Sequence, residues 1–143
     1  MEAVEATLKN VTLFSEFSQN ELAQLASLSR TREYKPGEVI VKEGERGTAF
    51  YYLLNGEVEV MKGMDEPVVR VLATQRSGEY FGEMALLEND VRSASVVART
   101  DVECLLLPGW EFMSAVRTHP DMAIKMLRVL SQRLRATERA LTE

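Results

Sequence analysis

Two residue types on which many enzymes and metal sites depend are scarce in this chain. Its 143 residues include one cysteine, Cys104, and one histidine, His119. A single cysteine excludes an intramolecular disulfide and favours a reducing compartment, so we expect a cytoplasmic protein. Zinc and iron sites commonly use two or three imidazoles, so a single histidine argues against a metal site. We therefore expect a protein that binds rather than catalyses.

Long hydrophobic runs and an excess of positive charge are also missing. The longest apolar run, Ala49 to Leu54, falls far short of the ~18 residues that span a bilayer. A secretory signal begins with basic residues, whereas this sequence has Glu2 and Glu5 near its start. A net charge of −5 disfavours binding to nucleic-acid phosphates. We expect no membrane contact and no direct nucleic-acid partner, and the length fits one domain over residues 1–143.

Glycines and short apolar segments mark the middle of the chain as β-structure. Seven of the eight glycines lie between Gly37 and Gly82. Short, regularly spaced strands are typical of a barrel or sandwich, and Asn55-Gly56 favours a type I′ hairpin. The predicted strands cover residues 38–42, 50–54, 57–61, 68–73, 93–98 and 102–107. Within them Cys104 is expected to be a small core residue.

Helical patterns occupy both flanks. We predict a short helix over residues 1–9 and a second helix whose capping box joins Ser18 to Glu21. After the strands, residues 109–117 suit a helix in which Trp110 and Phe112 serve packing. Pro120 is well placed to begin a long helix that runs to about residue 142.

The long helix carries two apolar stripes. One has heptad spacing and comprises Ala123, Leu127, Leu130, Leu134, Thr137 and Leu141. The other comprises Met122, Met126 and Val129. One stripe can pack within the chain while the heptad seam meets the same helix of a second copy, which predicts a homodimer. The alternative is that both stripes pack within the chain.

The segment from Ser77 to Val96 carries the chemistry. Gly82 allows a close backbone approach, and we expect a helix to begin at Glu83, so its free N–H groups favour an anion. Arg92 can bind two phosphate oxygens through its planar guanidinium. The carboxylate of Glu83 must then accept from a neutral donor such as a sugar hydroxyl. These groups complement a phosphate monoanion next to a ribose hydroxyl.

Phe-Gly-Glu-Met-Ala-Leu-Leu followed by Arg-Ser-Ala-Ser-Val resembles the phosphate-binding cassette of the cyclic nucleotide-binding domain family. The segments at 36–44 and 50–58 resemble that family's early strands and central hairpin, and the likeness covers about residues 10–142. It implies a mainly β fold, an eight-stranded, jelly-roll-like β-roll with flanking helices. The implied map is N-terminal helices at 1–29, the roll at 30–107 with the cassette at 81–96, and C-terminal helices at 109–142.

The resemblance also implies roles for individual residues. Glu83 would bind the ribose 2′-hydroxyl, Arg92 the cyclic phosphate, and Ser93 the phosphate or base. The implied ligand-binding set is Gly82, Glu83, Met84, Ala85, Leu86, Arg92, Ser93, Ala94 and Thr137. Thr137 falls where catabolite-activator-type regulators place a threonine against adenine, which favours cAMP over cGMP. Ser95 is expected to be an ordinary strand residue.

Three further expectations follow. The loop at 45–48 is expected to lie away from the phosphate site, and Tyr80 either closes over the ligand or packs in the core. Because no DNA-binding segment follows residue 143, we expect a sensor, stand-alone or excised, that signals through an unidentified protein effector. Two other hypotheses remain open: a non-binding interaction scaffold that keeps the fold and the dimer helix, and a cupin-like metalloenzyme. Without a ligand, Glu83 and Arg92 would form an internal ion pair.

Overall fold

The computed structural model describes residues 2–88 and 91–142. The chain divides into two compact units. A helical unit combines Met1–Leu28 with Glu111–Glu143, and a β unit comprises Ser29–Trp110. Asn89 and Asp90, which belong to the predicted cassette, lie outside the described residues.

The helices agree closely with the sequence patterns. They are α1 (Glu2–Lys9), a 3-10 helix (Thr12–Phe14), α2 (Gln19–Leu28), α3 (Gly109–Thr118) and α4 (Pro120–Thr142). The predicted capping box is confirmed: the Ser18 N–H donates to Oε1 of Glu21 at 2.7 Å, and the Glu21 N–H donates to Oγ of Ser18 at 3.2 Å. Within the described ranges, no helix is both long and apolar enough to cross a membrane.

The helical unit has an aromatic and aliphatic core of its own. The ring of Phe14 lies 5.3 Å from that of Phe17 and 5.9 Å from that of Phe112, centroid to centroid. Helix α4 packs on the 3-10 helix through its N-terminal half, where Met122, Met126 and Val129 are buried. From residue 131 to residue 142, every side chain of α4 is exposed.

The β unit is a roll of two four-stranded sheets. Its strands are β1 (Arg30–Tyr34), β2 (Val39–Val41), β3 (Phe50–Asn55), β4 (Glu57–Lys62), β5 (Arg70–Arg76), β6 (Tyr80–Phe81), β7 (Ser95–Ala98) and β8 (Val102–Leu107). One sheet has the order β1-β8-β3-β6 and the other the order β2-β7-β4-β5, with antiparallel pairing throughout. The expected eight-stranded β-roll with flanking helices is confirmed.

The predicted hairpin at Asn55-Gly56 is wrong. Strands β3 and β4 belong to different sheets, so this pair carries the chain from one sheet to the other. Only Gly56 has a positive φ, +97°, whereas a type I′ turn needs one at both positions. A β-carbon on Gly56 would lie 2.2 Å from the carbonyl oxygen of Asp101, so glycine is required here for close packing.

The interior of the roll is apolar. Its core cluster includes Tyr51, Leu53, Val58, Val96 and Cys104. Cys104 is fully buried, as expected, and burial raises the pKa of its thiol to about 11. The core thus packs β3, β7 and β8 against one another, and Arg92 lies in the segment just before β7.

Candidate functional site

Arg92 lies just before β7, with its guanidinium turned toward the start of β3. Its Nη2 donates a 2.7 Å hydrogen bond to the carbonyl oxygen of Ala49. Its Nε is buried and has no hydrogen-bond partner among the described residues. A buried N–H without an acceptor costs roughly 1–3 kcal/mol. The guanidinium is therefore fixed at one end and has unused hydrogen-bonding capacity at the other.

Among the described residues, little compensates the charge of Arg92. Burial lowers the pKa of its guanidinium, and the neighbouring Tyr51 hydroxyl opposes this effect. No carboxylate forms an ion pair with Arg92 in residues 2–88 and 91–142. The internal Glu83–Arg92 ion pair that a non-binding scaffold would use is therefore not formed. An arginine stays protonated at physiological pH, so the site presents a positive charge.

Two glycines border the guanidinium. A β-carbon on Gly82 would lie 2.8 Å from Nη1 of Arg92 and 2.8 Å from the carbonyl oxygen of Ala49. Gly82 also has φ +85°, which favours glycine on backbone grounds. A β-carbon on Gly47 would lie 2.6 Å from Nε and 3.0 Å from Nη2 of Arg92. The guanidinium thus occupies space that exists because two side chains are missing.

The loop at 45–48 is not remote from Arg92, and the sequence-based expectation was wrong. The Arg92 N–H donates to the carbonyl oxygen of Glu45 at 2.8 Å, and the Gly44 N–H donates to that of Arg92 at 2.9 Å. Arg46 forms an isolated β-bridge with Val91. The loop therefore holds the C-terminal part of the cassette in place through backbone hydrogen bonds. The pair of nearby glycines, Gly44 and Gly47, was the sequence signal that could have indicated it.

The cassette helix is shorter than predicted. It is a 3-10 helix of three residues, Met84–Leu86, flanked by Glu83 and Leu87 in helical backbone conformation. The Ala85 N–H donates to the carbonyl oxygen of Gly82 at 3.1 Å. So short a helix has little macrodipole, so the anion attraction expected at its start is weaker than that of a full α-helix. The positive charge of Arg92 should therefore contribute more to anion attraction than the start of this short helix does.

Arg92 lines two cavities. The first, about 300 Å³, is lined by Met84, Ala85, Glu88, Val91, Arg92 and Ser93. It brings together four of the predicted ligand-binding residues: Met84, Ala85, Arg92 and Ser93. The second, about 390 Å³, is lined by Arg92 together with Gly47, Thr48, Ala49, Tyr51 and Trp110, among others. Both are within the size range of small-molecule sites.

Other predicted cassette residues have varied environments. Leu86 is buried, with 3% of its surface exposed, and its N–H donates to the carbonyl oxygen of Glu83 at 3.3 Å. Glu83 and Ala94 are half-buried. Ser95 is a strand residue, as expected, and its Oγ accepts a 2.9 Å hydrogen bond from the Glu43 N–H.

The aromatic residues near the site divide into packed and exposed. Tyr80 packs on Phe50 and Tyr52, with centroid distances of 5.7 Å and 6.2 Å, and is half-buried, so its closure over a ligand stays a prediction. Trp110 was expected to be a packing residue, but 78% of its surface is exposed while it lines the larger cavity. The prediction was wrong because α3 begins with this side chain on its solvent face; Phe112 is the fully buried one.

Thr137 belongs to the helical unit, whereas the other predicted ligand-binding residues belong to the β unit. It is exposed on α4, and its Oγ1 donates to the carbonyl oxygen of Arg133 at 2.9 Å. Its predicted contact with a ligand base stays a prediction.

Comparison with known proteins identifies the family. A family model described as the cyclic nucleotide-binding domain matches residues 31–119, which include both sheets and Arg92. The chain belongs to the cyclic nucleotide-binding domain family.

Relatives of this domain occur in several regulators. The chain is 34% identical over 119 residues to cGMP-dependent protein kinase 2 of Homo sapiens, covering 80% of this chain and 15% of that protein. It is 44% identical over 100 residues to the cAMP-dependent protein kinase regulatory subunit of Emericella nidulans, covering 69% and 23%. The catabolite activator protein of Thermus thermophilus superposes with a TM-score of 0.69 at 33% identity, covering 92% of this chain and 62% of that one. The chain thus spans a small part of the kinase relatives.

Proposed function

We propose that this chain is a sensor that binds a cyclic nucleotide, cAMP in preference to cGMP, and is not itself catalytic. The observation that carries the proposal is the half-buried, positively charged Arg92 beside a cavity that Met84, Ala85 and Ser93 also line. A cyclic phosphate carries one negative charge and can accept hydrogen bonds from a guanidinium. The Ser93 hydroxyl and the backbone N–H groups at 82–86 and at Ala94 would complete the phosphate shell, and Glu83 would bind the ribose.

The preference for cAMP rests on two features. Relatives include a cAMP-dependent kinase regulatory subunit, and α4 has a threonine, Thr137, that can hydrogen-bond an adenine amino group. A cGMP-dependent kinase is also among the relatives, so the two nucleotides must be compared directly. Calorimetric titration of cAMP and cGMP into the nucleotide-stripped protein makes that comparison. We expect tighter binding of cAMP, and tighter binding of cGMP would reverse the assignment.

The first prediction concerns Arg92. Arg92→Ala should weaken cAMP binding by roughly 2–5 kcal/mol, the usual cost of removing one member of a desolvated charge pair. Arg99→Ala is the matched control, because Arg99 is an exposed arginine whose Nε lies 3.8 Å from Glu59 and which does not line either cavity. Equal affinities of the wild type and Arg92→Ala would refute the site. No binding of either nucleotide by the wild type would favour the non-binding scaffold.

We further propose that the output passes through α4 and a second copy of the chain. The seam residues Leu127, Leu134 and Leu141 are 64%, 61% and 81% exposed at seven-residue spacing, which is the pattern of a helix that pairs with another. Nucleotide binding would shift the conformational equilibrium of the C-terminal helices only by its differential affinity for the two states. A protein effector, not yet identified, would respond to that shift, and we place this activity in the cytoplasm.

A further inference from the structure

We infer that Gly47 is a positioning residue for Arg92: the side chain it lacks leaves the space in which the guanidinium is held. This inference rests on the proposed function, since its consequence is an effect on nucleotide affinity. Gly47 lies in the loop between β2 and β3, outside the cassette. It shares the larger cavity with Arg92 and Ala49.

The guanidinium of Arg92 already fills the space where a side chain at position 47 would begin. A β-carbon on Gly47 would approach three atoms of the guanidinium group: Nε at 2.6 Å, Nη2 at 3.0 Å and Cζ at 3.2 Å. Two of these three separations are at or below about 3.0 Å, the closest approach that β-carbons show in folded proteins. The Arg92 side chain would therefore have to move, and its Nη2 would leave the carbonyl oxygen of Ala49.

The backbone conformation at position 47 does not itself require glycine. Six glycines, Gly37, Gly44, Gly56, Gly63, Gly78 and Gly82, have positive φ, and Gly47 is not among them. An alanine at position 47 can adopt the native backbone without strain. The close approach of Arg92 is thus the feature that favours glycine at position 47, and the three atoms nearest to an added β-carbon all belong to Arg92.

Backbone hydrogen bonds fix the loop at 45–48 next to Arg92. Arg92 and the loop are joined by the hydrogen bonds from Arg92 N–H to Glu45 and from Gly44 N–H to Arg92. These bonds hold the main chains together while leaving the guanidinium to be placed by Gly47, Gly82 and Ala49. The loop therefore sets where the charge is presented to an anion.

The test is a double-mutant cycle on nucleotide affinity, measured by calorimetry with cAMP. Gly47→Ala should weaken binding about tenfold, within the range found for residues in direct contact. In the Arg92→Ala background, Gly47→Ala should leave cAMP affinity unchanged, because the guanidinium that it would displace is absent. Wild-type affinity of Gly47→Ala would overturn the inference. So would an equal loss in both backgrounds.

Gly37→Ala is the control for a merely structural effect. Gly37 has φ +88° and no atom within 4 Å of its β-carbon position, so alanine there strains the backbone far from Arg92. This variant should lower the melting temperature and leave cAMP affinity unchanged, the reverse of the pattern expected for Gly47→Ala. If Gly47→Ala does not fold, Gly47→Ala/Arg92→Ala should fold; failure of both would overturn the inference.

A spectroscopic readout separates this inference from the proposed function. The Nε–H resonance of Arg92 in the nucleotide-stripped protein should shift in Gly47→Ala and stay in place in Gly37→Ala. This result requires no nucleotide binding. A wild type that binds no nucleotide refutes the proposed function, whereas an unmoved Arg92 resonance refutes the positioning role.

Discussion

At the scale of single residues, Gly82 and Gly47 show what a motif can and cannot reveal. Gly82 was expected to admit a ligand close to the backbone, but the atoms that approach it are those of Arg92 and Ala49. Gly47 belongs to the loop at 45–48, which was expected to lie away from the phosphate site. Both glycines contact one guanidinium, from segments 35 residues apart in sequence. Only the fold brings them together, so residue spacing alone could not predict this pair.

Cys104 gives a prediction about alkaline pH. Its pKa is raised from 9.0 to about 11 by burial, so the folded state favours the protonated thiol. The associated stability is fully present below pH 9 and is lost as pH rises toward 11. We expect the unfolding free energy to fall by about 2 kcal/mol between pH 8 and pH 11 from this group.

Urea unfolding of the wild type and Cys104→Ala at pH 8 and pH 11 measures this contribution. The pKa of Tyr34 is also raised, to about 12, chiefly by burial and to a lesser extent by Tyr51 and Cys104, so most of its effect is common to both proteins. The fall in stability should be smaller in Cys104→Ala by about the amount assigned to the thiol. Equal pH dependence in the two proteins would contradict the assignment.

At the scale of elements, α4 separates its two stripes as the sequence suggested. Met122, Met126 and Val129 are buried, whereas the seam residues Leu127, Leu134 and Leu141 remain exposed. The alternative in which both stripes pack within the chain is wrong. The seam is thus free to pair with a second copy, as proposed above.

Leu134→Lys tests that pairing. Removing one buried leucine from each of two copies should raise the dimer dissociation constant at least about a hundredfold, because each contributes roughly 1.5–3 kcal/mol. Gln132→Lys is the matched control, since it places a lysine in the same turn but off the seam. Sedimentation equilibrium should find a dimer for wild type and control and a monomer for Leu134→Lys. A monomeric wild type would refute the dimer.

Elements with strong patterns were predicted well, and those without were missed. The helix from Pro120 to Thr142 has a clear start and a 3.6-residue period, so its bounds agree with the structure. Strand β1, Arg-Thr-Arg-Glu-Tyr, has no apolar alternation and is mostly exposed, so its pairing with β8 was not visible. Strand β6 has two residues, too few for any period. Both depend on a partner strand distant in sequence.

At the scale of the whole molecule, the fold and the family followed from ordered motifs, but the environment of Arg92 did not. The cassette, the glycine turns and the capping box each specify local structure, and together they fix the family. The approach of the loop at 43–48 to Arg92 is a tertiary contact, and local patterns do not encode its distance. The two compact units also divide the predicted site, with Thr137 in one and Arg92 in the other.

Nucleotide binding in the β unit is expected to change the helical unit. Saturating cAMP should change amide hydrogen exchange within residues 120–142, since the proposed output passes through α4. Mass spectrometry of peptides from that helix makes the measurement. Arg92→Ala at the same nucleotide concentration should show no change. An α4 that exchanges identically with and without cAMP in the wild type would contradict the proposed output.

The exposed Trp110 has a practical consequence. It is the only tryptophan in the chain, so the whole indole emission of the protein originates from one side chain. That side chain borders the cavity that Arg92 and Gly47 also line. Its fluorescence, and its quenching by iodide, report the surroundings of Arg92 without any attached dye. The domain therefore contains its own optical probe, which turns a titration of any anion near this cavity into a single-wavelength measurement.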